Sequence, residues 1–456
     1  MTSSTSTEQR VAELPARVRE LMPELVEQLE ELVRIPSISG EGRPVEPIER
    51  AYAAVDRMAR EAGFATERID LPGTHPIVYG TIEGPAGAPT VLLYSHYDVV
   101  PAGDEASWST APFEPVHRDG AIYGRGSADT KSNIVAHLGA IRAWGGTPPV
   151  TVKLLIEGEE EVGGGNIAML PGERPDVVAC DVMVIGDMGS VRPGVPTLTT
   201  TLRGMANVLV EAQTIDTPRH SGQFGGAAPD ALVALVQALA TLHDAEGNVA
   251  VDGLRREPWT GGGSTEEEFR ELAGVLDGVP LQGTGDLGSR VWSGPAITVI
   301  GIDAPTVAES VNAVQAHARA LLNVRVHPEQ DPVEAQRAVI AHLEQVRPFG
   351  IEVVATAGAT GAGFAARTDG PAYEAARIAW SRAWSGAEVV TAGVGGSIPL
   401  VTELQQAAPD AAVLLVGTTD GFASIHGPDE RVLLDEFERA TVAEATFLGL
   451  LAGDLG

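Results

Sequence analysis

A single cysteine, Cys180, stands among the 456 residues, so no disulfide can form within the chain and a cysteine-built zinc cage is excluded. A metal would have to be held by His, Asp or Glu. Lysine is almost missing, with Lys131 and Lys153 alone, and 31 basic residues face 62 acidic ones for a formal net charge of -31. That surplus repels phosphate backbones and anionic lipid, which argues against nucleic acid or a membrane surface as partner. No stretch approaches the roughly 20 apolar residues needed to span a bilayer. Residues 1 to 9, mostly Ser and Thr, lack the basic and apolar pattern of a signal peptide. The expectation is a soluble cytoplasmic protein.

Hydrophobic residues make up 44% of the chain, and cores tend to split beyond about 250 to 300 residues, so two domains are expected. Apolar positions over 8 to 33 recur at three and four, which predicts an amphipathic helix interrupted near Pro15 and Pro23. A helix over 47 to 63, strands over Ile77–Ile82 and 90 to 95, a helix over 132 to 144 and strands over 150 to 157 and Val182–Gly186 then alternate. That order points to an α/β fold with a central, mostly parallel sheet flanked by helices, some neighbouring strands running antiparallel. Near Thr197 the texture changes to a long β-prone run, helices over 230 to 243 and 332 to 346, and strands over 316 to 326 and 351 to 357. From 372 onward the α/β texture resumes. The expected organisation is a discontinuous catalytic domain, 1–196 and 369–456, carrying an inserted α+β domain, 197–368.

Chemistry-bearing residues fall where strands end, which is where ligands collect in open α/β sheets. The run Val91 to Ser95 delivers His96 and Asp98, the next strand runs into Glu159, Glu160 and Glu161, and Val182–Gly186 runs into Asp187. Residues i and i+2 of a strand share a face, so His96 can bind a metal while Asp98 holds its other ring nitrogen. Mixed imidazole and carboxylate donors suit zinc, with manganese or cobalt as further candidates. Two ions about 3.5–4 Å apart need a bridging carboxylate. Asp129, in a loop with Gly124 and Gly126, is the best placed. Adjacent side chains diverge, so Glu161 can ligate while Glu160 stays free as general base toward a water.

The segments YSHYDVVP (94 to 101), YGRGSADTKSN (123 to 133), EGEEEVGG (157 to 164), IGDM (185 to 188), RHSGQFGG (219 to 226), VRVHPEQDP (324 to 332), GGSIP (395 to 399) and IHGPDE (425 to 430) together resemble the ordered motifs of the M20 family of metallopeptidases, particularly its dipeptidase branch. The resemblance implies a zinc-exopeptidase-like catalytic domain with an inserted lid and dimerisation domain. It implies His96, Asp129 and Asp187 on one ion, Asp129, Glu161 and His426 on the other, Asp98 as support and Glu160 as base. It further implies that His220 polarises the scissile carbonyl, often from the partner subunit of a homodimer. Arg325 and the Gly395, Gly396, Ser397 turn would hold the substrate's terminal carboxylate, with Asn312 as a further contributor. Ser132 after Lys131, and Gly393 and Val394 before the GGSIP turn, depart from the family's usual residues. These departures bear on the substrate rather than on the metals.

Plainer roles exist for several of these residues. Asp187 could cap a helix, His220 could cap a turn beside Ser221, and Arg325 could form an ion pair. Glu159 reads as a solvated acid. The histidines at 75, 117, 137, 243, 317, 327 and 342 read as structural or surface residues, and Trp108 and Phe113 as packing. The expected function is two-metal hydrolysis of an amide bond in dipeptides or other small peptides with a free carboxyl end. The rivals are an aminoacylase, N-acyl amino acid deacylase or carbamoylase using the same site, a two-metal phosphoesterase, and a catalytically silent metal-binding protein.

Overall fold

A computed structural model describes residues 7–163, 165–396 and 399–454. The chain divides into two compact units. One comprises the residues up to Thr200, Ala366–Ala392 and the stretch after Ser397; the other comprises Thr201–Ala365 and the short return from Gly393.

In the first unit, strands Thr151–Glu157, Thr90–His96, Val182–Gly186 and Ala412–Val416 lie side by side and parallel. Antiparallel strands flank them: Ile77–Ile82 and then Ala65–Ile69 on one side, Thr197–Leu202 on the other. Parallel strands covered on both faces read as continuous apolar runs, and every residue of Val182–Gly186 is buried. The helices Thr7–Val33, Ser132–Ala143, Pro371–Ala383 and Leu434–Asp454 pack on one another. Leu29, Leu93, Val184, Ile134 and Phe437 share their core.

The first helix runs unbroken from Thr7 to Val33 with Pro15 and Pro23 inside it, so the expected interruption does not occur. Each proline costs roughly 3 kcal/mol in a helix interior. Leu14, Val18, Leu25 and Leu29 are fully buried along it, each contributing about 1.5–3 kcal/mol, and that burial holds the helix together. No helix among the described residues is long and apolar enough to cross a membrane.

The second unit is a four-stranded antiparallel sheet ordered Ala296–Asp303, His317–Val326, Gly204–Gln213, Val353–Gly361. Alternate residues of Gly204–Gln213 are buried. Helices Ala231–Ala240 and Pro332–Gln345 pack on the sheet through Leu235, Val339, Val208 and Leu322. The edge strand Ala296–Asp303 was not expected. It carries a bulge between Val299 and Gly301 and exposes Val299, Ile300 and Ile302, so the in-out alternation that announces a half-buried strand is missing. The acidic stretch near 266 forms a helix, Glu266–Leu272, opened by a capping box of Thr265 and Glu268.

Gly393 to Gly396 group with this second unit, although the sequence reading counted them in the catalytic stretch 369–456. The Arg203 amide donates to the Val394 carbonyl at 3.0 Å. A side chain at 393 would come within 2.6 Å of Trp292 Cβ and of Thr201 Oγ1, so the departure to glycine at this position has a steric cause.

Candidate metal centre and active site

His96 ends strand Thr90–His96, where it pairs with Glu157 of the neighbouring strand, while Tyr94 pairs with Ile185 on the other side. The same edge of the parallel sheet therefore carries His96, the turn after Glu157, and Asp187 one residue beyond Gly186. Glu157 is buried and braces that turn: its carboxylate accepts from the Glu159 amide at 2.6 Å and from the Tyr94 hydroxyl at 3.0 Å. Burial, then the charge of Asp98, raises its pKa to about 8.

His96 is fully buried. Its Nε2 lies 3.2 Å from Asp129 Oδ1 and 3.4 Å from Asp187 Oδ1, yet it makes no hydrogen bond. Its Nδ1 sits 3.1 Å from the Asp98 carbonyl oxygen and 3.2 Å from Asp98 Oδ1. The hydrogen bond of this nitrogen is therefore to the Asp98 backbone, with the carboxylate close by. Asp98 Oδ2 accepts from the Glu161 amide at 3.2 Å, which ties the two segments together.

His426 arrives from a loop far along the chain, its backbone in the left-handed region at φ 62°. Its Nε2 lies 3.1 Å from Asp129 Oδ2 and 3.0 Å from Glu161 Oε2. Asp129 therefore turns one oxygen toward His96 and the other toward His426. Ligand atoms of His96, Asp129 and Glu161 all fall within 4.8 Å of one another.

The loop bearing Asp129 is held by Glu430, a residue the sequence reading quoted in a motif without assigning it a role. Its fully buried carboxylate accepts from the amides of Gly126, Ala128 and Asp129 at 3.0, 2.9 and 3.0 Å and from the Arg125 guanidinium. Arg125 also lies over the ring of Trp108, 5.2 Å from its centroid, so Trp108 packs as expected. Glu430 follows His426 by four residues, and that short spacing, which fastens one ligand loop to another, was the available signal.

Electrostatics single out Glu160. Burial and then the Asp187 charge, with Glu161 and Asp129 adding to it, push its carboxyl well above the usual range, although His96 opposes them. Burial likewise raises Asp187 to about 6. Hydrogen bonds to Asp129 and Glu161 raise His426 to about 10. Burial works against a charge on His96, but Asp129, Asp187 and Asp98 outweigh it and raise its pKa well above the ordinary value. Carboxylates in such excess draw positive charge onto both imidazoles, and divalent cations would supply that compensation. The unbonded, buried Nε2 of His96 and the two-sided Asp129 make the set a fit for two divalent ions.

The remaining candidates lie in the second unit. His220 pairs with Ala313 across a short ladder, and the Ser221 amide donates to the Asn312 carbonyl at 2.8 Å, so His220 and Asn312 are neighbours. His220 Nδ1 accepts from the Gly222 amide at 3.1 Å, the turn-capping contact weighed above, and the residue is exposed. Arg325 sits near the far end of strand His317–Val326, opposite Met205. No ion pair of Arg325 is found among the described residues. Gly395 and Gly396 lie in the turn after strand Val390–Val394; Ser397 is outside the described residues. A second trio, Glu257, His327 and Glu329, has Arg255 between its carboxylates at 2.7 and 2.9 Å and is an ion-pair network.

Comparison with known proteins decides what the geometry belongs to. The model of peptidase family M20/M25/M40 matches residues 92–449. The chain belongs to that family. It is 38% identical to a cysteinylglycine-S-conjugate dipeptidase of Corynebacterium striatum, over 93% of this chain and 94% of the relative. It is 28% identical to the Beta-Ala-His dipeptidase of Mus musculus over 71% of each chain. Human carnosine dipeptidase 1 shares the fold with a TM-score of 0.81 at 24% identity, covering 97% of this chain and 98% of that one. The dipeptidase Dug1p of Saccharomyces cerevisiae does so with a TM-score of 0.81 at 21% identity, covering 98% and 99%. This M20 chain is a metallopeptidase of the dipeptidase branch, a two-metal hydrolase of peptide bonds, and its α/β fold is the family's.

Proposed function

We propose that this M20 peptidase is a zinc-dependent cytoplasmic dipeptidase, active as a homodimer, that cleaves the bond before a terminal residue with a free carboxylate. The observation that carries the reading is Asp129, whose two oxygens face two different imidazoles, with the half-buried Glu160 in the turn that also bears Glu161. In this reading His96, Asp129 and Asp187 hold one ion, and Asp129, Glu161 and His426 hold the other. Imidazole and carboxylate donors favour zinc over magnesium or calcium, with manganese and cobalt as the competitors. When bound, such ions make a water more acidic and polarise the substrate carbonyl.

Glu160 takes the proton of the attacking water and returns it to the leaving amine. A carboxylate beside the reacting water can serve both halves of that transfer, as base and then as acid. Asp98 fixes the orientation of His96. Arg325 and the turn at Gly395, Gly396 and Ser397 hold the substrate's terminal carboxylate, a role that guanidinium geometry suits. The relatives named for cysteinylglycine conjugates and for β-Ala-His support dipeptides over N-acyl amino acids.

Two features within the second unit support a dimer. His220 and Asn312 lie beyond the Gln213↔His317 end of the ladder and Arg325 lies at its Met205 end, eight pairs away. At about 3.3 Å per residue that is roughly 26 Å, too far for one dipeptide to touch both in the same chain. His220 and Asn312 then serve the active site of a second copy. The apolar edge strand Ala296–Asp303 offers open backbone groups for joining two copies.

The test is a substrate panel with zinc, manganese or cobalt restored to the metal-free enzyme. Dipeptides should be turned over far faster than N-acetyl, N-succinyl or N-carbamoyl amino acids, with zinc or one of its competitors restoring activity. Preference for an N-acyl amino acid would overturn the substrate assignment.

A further inference from the structure

Among the described residues of the second unit, two neighbouring guanidiniums, those of Arg203 and Arg325, have no carboxylate partner. Arg203 is 9% exposed. Its Nη1 donates to the Gly294 carbonyl at 3.3 Å, and its Nε has no partner. Arg325 is half-buried and without an ion pair among the described residues. Gly204 pairs with Val326, so the two arginines flank the same backbone pair. By contrast, the buried Arg125 is matched by Glu430 and the half-buried Arg431 by Asp420. With 62 acidic residues against 31 basic ones, leaving two neighbouring cations unmatched is not a matter of supply.

Burial, and then the charge of Arg325, lowers the pKa of Arg203 to about 10. An uncompensated buried charge is unfavourable, and an anion settling between the pair relieves it. The turn is shaped to the same end: a side chain at 395 would come within 3.0 Å of Arg203 Nη2, so glycine there lets the guanidinium lie against the backbone.

We propose that Arg203 is a specificity-determining residue, forming with Arg325 and the Gly395 backbone a two-guanidinium seat for the carboxylate of the substrate's terminal residue. This rests on the proposed preference for a free carboxyl end and adds a second, deeper cation to it. Two planar forks can hold both oxygens of a carboxylate, and a neutral amide would leave the pair uncompensated.

Steady-state kinetics on a dipeptide and on its carboxy-terminal amide test this, using the metal-loaded wild type and the Arg203→Met and Arg203→Lys variants, with thermal melting as a folding control. Arg203→Met should raise KM for the free acid roughly 10- to 100-fold, the loss expected for a charged hydrogen bond, with kcat changed little and the amide barely affected. Arg203→Lys, which keeps the charge and loses the fork, should recover part of the loss and is the informative variant if the methionine form melts early. An acid-to-amide ratio unchanged in both variants overturns the role of Arg203 while leaving the carboxyl-end reading intact. A wild type that treats acid and amide alike overturns that reading, and the seat with it.

Discussion

Asp129, Glu160 and Glu430 differ at the scale of single residues: one faces both imidazoles, one is the proposed base, and one holds the loop. Glu160→Gln keeps the shape and removes the base, so turnover should fall about 10²- to 10⁴-fold while metal content by elemental analysis stays near wild type. Wild-type activity in that variant would remove Glu160 from the chemistry. Glu430→Gln leaves Arg125 buried without its partner, a loss of roughly 3–5 kcal/mol when one member of a buried pair is removed. Denaturant unfolding should register that loss, and metal occupancy should fall with it because Asp129 loses its scaffold. An unfolding midpoint and metal content both unchanged would contradict the scaffold role.

Between elements, a buried pair fastens two helices behind the site. His137 on helix Ser132–Ala143 meets Glu444 on helix Leu434–Asp454 at 2.7 Å, and its Nε2 lies 3.1 Å from the Tyr94 carbonyl and 3.2 Å from Ser95 Oγ. Burial opposes a charge on His137, but the charge and hydrogen bond of Glu444 outweigh it and raise the pKa above 6.5. A pKa raised on folding gives stability that is fully present below the unfolded value and fades as pH climbs through the folded one. His137→Gln should therefore cost more stability near about pH 6 than near about pH 9, read from denaturant midpoints; an equal cost at both would mean the pair carries no net charge coupling.

The parallel strands and most helices were legible because their residues carry a clear period, and His96, Asp98, Glu160, Glu161 and Asp187 were legible because strand ends gather them. Asp129 was named from its glycine-bordered loop and His426 from the motif resemblance, while Glu430 went unassigned, because loops carry no periodicity that says which distant residues meet. Arg203 escaped notice because nothing local distinguishes an unpaired arginine from a paired one. Pro15 and Pro23 misled because local propensity gave way to tertiary burial.

At the scale of the whole molecule, the second unit sets His220 and Asn312 at one end of its sheet and Arg325 at the other. Mixing inactive Glu160→Gln and His220→Ala subunits tests the inference that two copies share each site. Hybrids should regain part of the wild-type rate, because one of their two sites combines an intact Glu160 with an intact His220 from the neighbour. No recovery, with exchange of subunits verified by light scattering and tagged pull-down, would place His220 in its own chain's site or outside the chemistry.

The central claim is that Asp129 joins two cations beside a free glutamate. Titrating zinc into chelator-stripped protein, with bound metal and dipeptide hydrolysis measured on the same samples, tests it most directly. The account predicts two ions per chain, hydrolysis absent without metal, and loss of the two-ion stoichiometry in Asp129→Ala; full hydrolysis by the stripped protein, or saturation at one ion, would contradict it.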